Sequence, residues 1–145
     1  MEPEDRNGIR AAKAKYCRFL DTKNWRGFEA LFANEAKISI FDVEGNALVS
    51  FRGGAEFSES AQLYLTGARS IHQVHNEEFS FESSFAASVI WSMEDYIVYP
   101  DARRGEPSSI HGYGHYLEGW EERGEGWKIS SIELRRTILE TTIRS

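Results

Sequence analysis

The fold of this 145-residue chain is constrained most by a single change of hydrophobic period near Ser70. Before Ser70, apolar side chains recur at helical spacing, apart from one short hairpin. After it, apolar and polar residues alternate almost to the end of the chain, as in long strands. The predicted helices cover residues 9–20, 25–32 and 55–68, and the hairpin pairs 37–43 with 47–51. The later strands are predicted at 72–81, 85–99, 110–122 and 127–142.

Helices followed by a run of long antiparallel strands indicate an α+β fold. A long, twisted sheet that bends around a layer of N-terminal helices makes a cone, and the open end of a cone is an internal pocket. No repeat or linker interrupts the pattern, so we predict a single domain over residues 1–145 with its core at about 9–140. Residues 1–7 are expected to fray.

Composition narrows the classes of partner and the compartment. The net charge is −6 and no Lys/Arg cluster accompanies an aromatic ladder, which argues against nucleic acid as a partner. No apolar stretch approaches the roughly twenty residues of a membrane span. Cys17 is the only cysteine, and the charged N-terminus lacks the apolar segment of a signal peptide. We therefore predict a cytoplasmic protein without membrane contact.

Alternation along two strands predicts which charged side chains point inward. Asp95 shares a strand face with Trp91 and Met93, and Arg136 shares one with Leu134. An acid in such company needs a partner or a raised pKa. Glu94 and Arg135 adjoin these residues, and one β-bulge would exchange the two faces, so both alternatives stay open at this stage.

A tyrosine, an imidazole and two carboxylates can meet around the predicted pocket. Tyr16 and Asp21 lie on the first helix, His72 at the start of a strand and Asp95 on the next. Such a set moves a proton on or off a small organic molecule without a metal or a cofactor, and we expect neither. His72 and His75 have the spacing that places two rings on opposite faces of a strand, which argues against a metal site.

Each of these residues also has a purely structural interpretation. Asp21 lies between two helices and is equally suited to cap the second one. His72 can be a satisfied core histidine, and Tyr16 a core aromatic residue with a hydrogen-bonded hydroxyl. Arg136 can serve only to neutralise Asp95.

Four segments, taken in order, resemble the SnoaL-like branch of the NTF2-like (nuclear transport factor 2-like) superfamily from about Ile9 to Ile138. They are Tyr16 to Asp21 followed by Trp25, Ser70 to Asn76, Trp91 to Tyr96, and Gly112 to Tyr116 followed by Gly126 and Trp127. The resemblance implies a cone of bent antiparallel sheet with helices, usually a homodimer packed through the sheet. It specifies the fold more than the activity, because this superfamily hosts enzymes, subunits and binding domains.

The resemblance also implies roles for particular residues. Asp21 and His72 stand where the lyase and isomerase members, such as bile acid 7α-dehydratase and scytalone dehydratase, pair an acid with a histidine. Tyr16, Asp95 and Arg136 stand at further positions of the bile acid enzyme's site. His111 and His115 are candidates for the second histidine of scytalone dehydratase.

We therefore predict a cofactor-independent lyase or isomerase, of dehydratase type, acting on a small hydrophobic cyclic, polyketide-like or steroid-like molecule. The alternative is a non-catalytic ligand-binding domain or a structural partner like the small subunit of ring-hydroxylating dioxygenases. Besides the five catalytic candidates, residues predicted to line the pocket are Trp25, Phe57, Tyr64, Trp91, Met93, His111, Tyr113 and His115.

Overall fold

The computed structural model describes residues 2–145, which form three helices and six strands. The helices are α1 (Glu2–Thr22), α2 (Trp25–Glu29) and α3 (Gly54–Tyr64). The strands are β1 (Phe32–Phe41), β2 (Ala47–Arg52), β3 (Arg69–Ser83), β4 (Ala86–Val98), β5 (Pro107–Glu122) and β6 (Trp127–Ile143).

All six strands belong to one open sheet in the order β2-β1-β6-β5-β4-β3. The sheet curves around α1, which confirms the predicted α+β cone. Strands β3 to β6 form the predicted antiparallel meander, whereas β1 runs parallel to β6, with Ile38 opposite Ile132. A parallel pair requires a long crossover, and here the crossover contains α3 and the four strands β2 to β5. Alternation shows that a segment is a strand but does not show which neighbour it joins.

Helix α1 begins at Glu2, so the predicted fraying of residues 1–7 is wrong for residues 2–7, while Met1 lies outside the described residues. Acidic residues in the first turn interact favourably with the positive end of the helix dipole. Asp5 is also held by the Trp127 indole N–H, whose Nε1 lies 3.2 Å from Oδ1. Among residues 2–145, neither α1 nor another helix has the length and apolar character needed to cross a bilayer.

The two halves of α1 cover different parts of the sheet. Ile9 and Lys13 are fully buried on the half that carries Trp91, Glu118 and Trp120. The following turns place Tyr16 and Leu20 beside a part of the sheet that stays open. The helix thus fills one end of the cone and leaves a cavity at the other.

Helix α2 is capped by Asn24, whose side-chain oxygen accepts a hydrogen bond from the Gly27 N–H at 3.0 Å. This cap excludes the structural interpretation of Asp21 as the capping residue of α2. Asp21 does not cap α2, because it lies in the last turn of α1 and faces β3 instead. Its carboxylate is therefore available to the candidate site.

An aromatic cluster around Phe28 joins the helices to the sheet. The Phe28 ring is fully buried, and its centroid lies 5.0 Å from that of Tyr16 and 5.2 Å from that of Phe32. We predict that Phe28→Ala lowers the free energy of unfolding by about 3–5 kcal/mol, through lost burial and a residual cavity. Urea denaturation measures the change. The matched control Phe85→Ala removes a 65% exposed ring and should alter stability by less than about 0.5 kcal/mol.

Candidate active site

The open end of the cone holds a cavity of about 330 Å³ between α1, α3 and the concave face of the sheet. Most of its wall is apolar and comes from the helices, β1, β2, β4 and β6. The polar side chains at its inner wall are Tyr16, His72, Asp95, Tyr116 and Arg136, with Tyr64 and Ser60 from α3. This is the size and lining of a small-molecule site.

His72 forms part of the cavity wall and is held from behind by Asp21. Its Nδ1 lies 2.7 Å from Asp21 Oδ1, and its backbone N–H donates to Asp21 Oδ2 at 3.0 Å. The Ser70 hydroxyl donates to Oδ1 as well, at 2.9 Å. A carboxylate only accepts hydrogen bonds, so the Nδ1 atom carries the proton and the Nε2 atom of a neutral ring keeps its lone pair.

Asp21 itself is reached from outside the cone. It lines a shallow depression on the outer side of the wall, with Cys17 and Arg18, and does not line the cavity. His72 lines both the depression and the cavity. The imidazole of His72 therefore lies between Asp21, on the solvent side, and the cavity.

Asp95 and Arg136 form a bidentate ion pair in the cavity wall. Arg136 donates from Nη1 to Asp95 Oδ1 and from Nη2 to Oδ2, each at 2.8 Å. Burial lowers the pKa of Arg136, but the hydrogen bonds and the charge of Asp95 outweigh it and hold the pKa above its ordinary value. The guanidinium therefore stays charged and keeps further N–H groups for a ligand.

The His72 and Asp95 side chains approach each other at this wall. His72 Nε2 lies 3.9 Å from Asp95 Oδ2, beyond hydrogen-bond distance. Burial raises the pKa of the neighbouring Tyr16 well above its usual value, and the negative charge of Glu118 adds to the rise. Burial also raises the pKa of Tyr116. Both phenols therefore remain protonated, as hydrogen-bond donors.

Two glycines of β5 permit close approaches, Gly112 by the ion pair and Gly114 by the backbone of β6. A Cβ atom on Gly112 would overlap Arg136 Nη1 and lie 2.6 Å from Asp95 Oδ1. A Cβ atom on Gly114 would overlap the Arg135 carbonyl oxygen at the point where the β5–β6 register shifts. The inward face of β5 is thus bare where the guanidinium crosses it.

Taken together, the wall presents the His72 Nε2 atom, which has a free lone pair when the ring is neutral, a guanidinium with spare donors and two phenol donors. These groups can remove a proton from a bound molecule and stabilise negative charge on one of its oxygens. Among residues 2–145, no three His, Cys, Asp or Glu side chains converge as ligands for a metal ion.

The sequence profile of the SnoaL-like domain matches residues 1–133. The chain belongs to the SnoaL-like family. Its fold is that of the NTF2-like superfamily, as the resemblance implied.

This SnoaL-like chain has similar relatives along nearly its whole length. A probable cyclase of Gibberella zeae, FGR4, is 24% identical over 146 residues, covering 94% of this chain and 93% of its own. A structure from Novosphingobium aromaticivorans, provisionally assigned as a scytalone dehydratase, superposes with a TM-score of 0.84 at 19% sequence identity. The match covers 99% of this chain and 91% of the other chain. The structure of the type 2 hexachlorocyclohexane dehydrochlorinase LinA superposes with a TM-score of 0.81 at 17% sequence identity. The match covers 99% of this chain and 94% of the LinA chain. At such identities the structures show a shared fold.

The structure brings together the five side chains that were predicted as catalytic candidates. Tyr16, His72, Asp95 and Arg136 line the cavity, with Asp21 directly behind His72. The two open alternatives are decided by contacts, since Glu94 bonds His111 and Arg135 bonds Glu133, both on the outer side of the SnoaL-like sheet. Whether the five act catalytically remains a prediction.

Only two of the eight further pocket candidates, Phe57 and Tyr64, line the cavity. Trp91 and Met93 do lie on the inward face but are core residues, because the N-terminal half of α1 covers their part of the sheet. Trp25 lies at the start of α2, where its ring packs edge-on against Phe28 at 6.1 Å. The prediction that these three line the pocket is therefore corrected.

His111, Tyr113 and His115 are also corrected, because they lie on the opposite face of the sheet. His111 Nε2 contacts Glu94 Oε2 at 2.6 Å, and the ring of Tyr113 lies 4.9 Å from that of His111. The inward residues of β5 are its alternate members Gly112, Gly114, Tyr116, Glu118 and Trp120. Because this face carries two glycines and a glutamate, its hydrophobic pattern did not indicate that it points inward.

Sequence reasoning missed three contributors to this SnoaL-like site. They are Tyr116 in the cavity wall, Gly112 under the ion pair and the buried Lys13–Glu118 pair behind the wall. Glycines two residues apart in a strand were an available signal, since a strand interior gains nothing from glycine unless another group approaches closely.

The close approach at Gly112 yields a test. We predict that Gly112→Ala expels the guanidinium from its contact with Asp95 and lowers the free energy of unfolding by about 3–5 kcal/mol, since a buried charge loses its partner. Urea denaturation and a crystal structure of the variant measure the two effects. The control Gly8→Ala, on exposed helix surface, should stabilise by up to about 1 kcal/mol. An unmoved Arg136 in the Gly112→Ala variant would contradict this account.

Proposed function

We propose that this protein is a single-domain, cofactor-independent lyase or isomerase that acts on a small hydrophobic cyclic molecule, of polyketide-like or steroid-like character. One observation carries the proposal. The His72 ring is fixed by Asp21 through Nδ1, while the opposite side of the ring faces a largely apolar cavity. This arrangement is that of a general base with its orienting carboxylate.

The first step is removal of a proton from carbon. A carbon next to a carbonyl is acidic enough for an imidazole when the resulting enolate is stabilised, and His72 Nε2 accepts the proton. The C–H electron pair then forms the C=C bond of the enolate, and the negative charge moves to the carbonyl oxygen. Asp21 holds the ring that has become cationic.

The developing charge is met by donors in the same wall. Arg136 presents the N–H groups that Asp95 does not use, and Tyr16 and Tyr116 add hydroxyl donors. Because burial raises the pKa of Tyr16, this phenol holds the oxygen by hydrogen bonding and does not transfer its proton.

The second step decides between the two reaction types. In an elimination, the enolate expels a hydroxyl group from the next carbon, and the protonated His72 supplies the proton that makes it water. In an isomerisation, the same proton returns to a different carbon. Both routes leave His72 neutral again and consume no other reactant.

The charges of the site favour a neutral substrate. Arg136 is balanced by Asp95 across two hydrogen bonds, so the cavity offers no free positive charge to an anion. The remaining wall is mostly aliphatic and aromatic, with the Asp42 carboxylate and the Ser60 hydroxyl as its other polar groups, and about 330 Å³ accommodates a compact ring system. The names of the similar proteins, a cyclase, a dehydratase and a dehydrochlorinase, support chemistry of this class.

The family resemblance further suggests that the outer face of the sheet forms a homodimer. That face carries the His111–Glu94 contact beside Tyr96, whose ring lies 5.1 Å from that of His111. Tyr96 and Ile138 are each exposed by two fifths or more. Light scattering of the purified protein is expected to give twice the mass of one chain. The Tyr96→Glu variant should give the mass of a single chain.

Proton abstraction is tested in deuterated water with a panel of neutral cyclic β-hydroxy ketones. Mass spectrometry should detect deuterium uptake next to the carbonyl or loss of water. We predict that His72→Gln lowers the rate by at least about 100-fold, the contribution of a positioned base. The control variant His75→Gln should leave the rate unchanged, since His75 lies on the opposite side of β3 from the cavity.

The orienting role of Asp21 has its own measurement. Asp21→Asn places an amide that can donate to Nδ1, so the proton of neutral His72 should move to Nε2 and the exchange rate should fall by about 100-fold or more. Nitrogen-15 NMR of the labelled ring reports the tautomer directly. Ligand binding without exchange in the unaltered protein would favour the alternative, a non-catalytic binding domain.

A further inference from the structure

Behind the cavity wall lies a pair of buried charges that the proposed reaction does not use. Lys13 of α1 and Glu118 of β5 form an ion pair with no solvent exposure on either side chain. Lys13 does not line the cavity, whereas Tyr16 and Tyr116, the two rings beside it, both do. The pair therefore stands on the far side of the two tyrosines from the cavity.

The Lys13 ammonium lies between the two tyrosine rings. Its Nζ is 3.5 Å from the ring centroid of Tyr16 and 3.7 Å from that of Tyr116. The rings meet edge to face, with centroids 5.7 Å apart and planes at 78°. A cation attracted to both ring faces fixes the angle between the rings.

Glu118 holds the ammonium in that position. Its Oε2 pairs with Lys13, and its Oε1 accepts hydrogen bonds from the indoles of Trp91 at 2.7 Å and Trp120 at 2.9 Å. Both carboxylate oxygens are thus engaged, and Glu118 is tied to the neighbouring strand β4 through Trp91, to its own strand through Trp120 and to α1 through Lys13. The ammonium has little freedom to move relative to the sheet.

Stability is a poor explanation for this arrangement. Removing two charges from water is costly, and replacing a buried ion pair by neutral groups of similar volume is often neutral or stabilising. A charged pair at this position therefore points to a property other than net stability, namely a fixed arrangement of the groups it touches.

We propose that Lys13 is a positioning residue that holds the Tyr16 and Tyr116 hydroxyls as a paired donor site for an oxygen atom of the bound ligand. This inference rests on the proposed function in taking the cavity as the substrate site. The inference extends the proposed function by requiring a substrate that bears an oxygen atom on its ring system. A planar molecule with that oxygen binds better than the same molecule without it.

The test uses two fluorescent probes that differ by one oxygen, 2-naphthol and naphthalene. In the unaltered protein, 2-naphthol should bind about ten-fold more tightly, the value of about one net hydrogen bond. The double variant Lys13→Met/Glu118→Gln removes both charges at nearly constant volume and keeps an oxygen acceptor for the two indoles. It should bind naphthalene as before but lose most of its preference for 2-naphthol.

A spectroscopic signature separates positioning from structure. Carbon-13 labelling of the tyrosine Cζ atoms, assigned with Tyr16→Phe and Tyr116→Phe, should give shifted or broadened signals for these two residues in the double variant. The matched control is Arg10→Met/Glu77→Gln. It removes an exposed pair that joins the same helix to β3, with Arg10 Nε 2.6 Å from Glu77 Oε2. The control should change neither the probe preference nor the two signals.

Three results would overturn the inference. The double variant could keep both the preference for 2-naphthol and the tyrosine signals, or it could fail to fold, which would make the pair structural. The unaltered protein could also bind both probes equally. None of these depends on turnover, whereas failure of the proposed function would appear as probe binding without proton exchange.

Discussion

The candidate site depends on the three hydrogen bonds that Asp21 accepts from β3. A carboxylate in the last turn of a helix faces the negative end of the helix dipole, which is unfavourable unless donors compensate it. The Ser70 hydroxyl, the His72 backbone N–H and the His72 ring supply those donors. The same contacts tie the end of α1 to an edge strand, complete the cavity wall and fix the tautomer of His72.

Two buried charge pairs divide the concave face of the sheet. Lys13 with Glu118 occupies the half that α1 covers, and Asp95 with Arg136 occupies the wall of the open half. Each pair satisfies its own charges, so neither imposes a net charge on the cavity. Tyr16 and Tyr116 lie between the pairs, and the site is therefore built outward from the packing of one helix on one sheet.

The fold could be predicted well because hydrophobic period reports burial directly. Alternation also placed Asp95 and Arg136 on the inward face, although neighbouring charges left each choice open. Alternation does not report position along a strand, and for that reason Trp91 and Met93 were expected in the pocket although α1 covers them. On β5 the pattern misled about the face itself, since Gly112 and Gly114 face inward.

The sequence by itself determined the α+β class and the family, because local period and motif order carry that information. It also named the five candidate side chains, with Glu94 and Arg135 left as alternatives to Asp95 and Arg136. Only the tertiary structure decided that Asp21 contacts His72 instead of capping α2, that β1 joins β6 in parallel, that Tyr116 lines the cavity and that Lys13 lies against its ring. These features arise from contacts between residues far apart in the chain, and such contacts leave no periodic signal in the sequence.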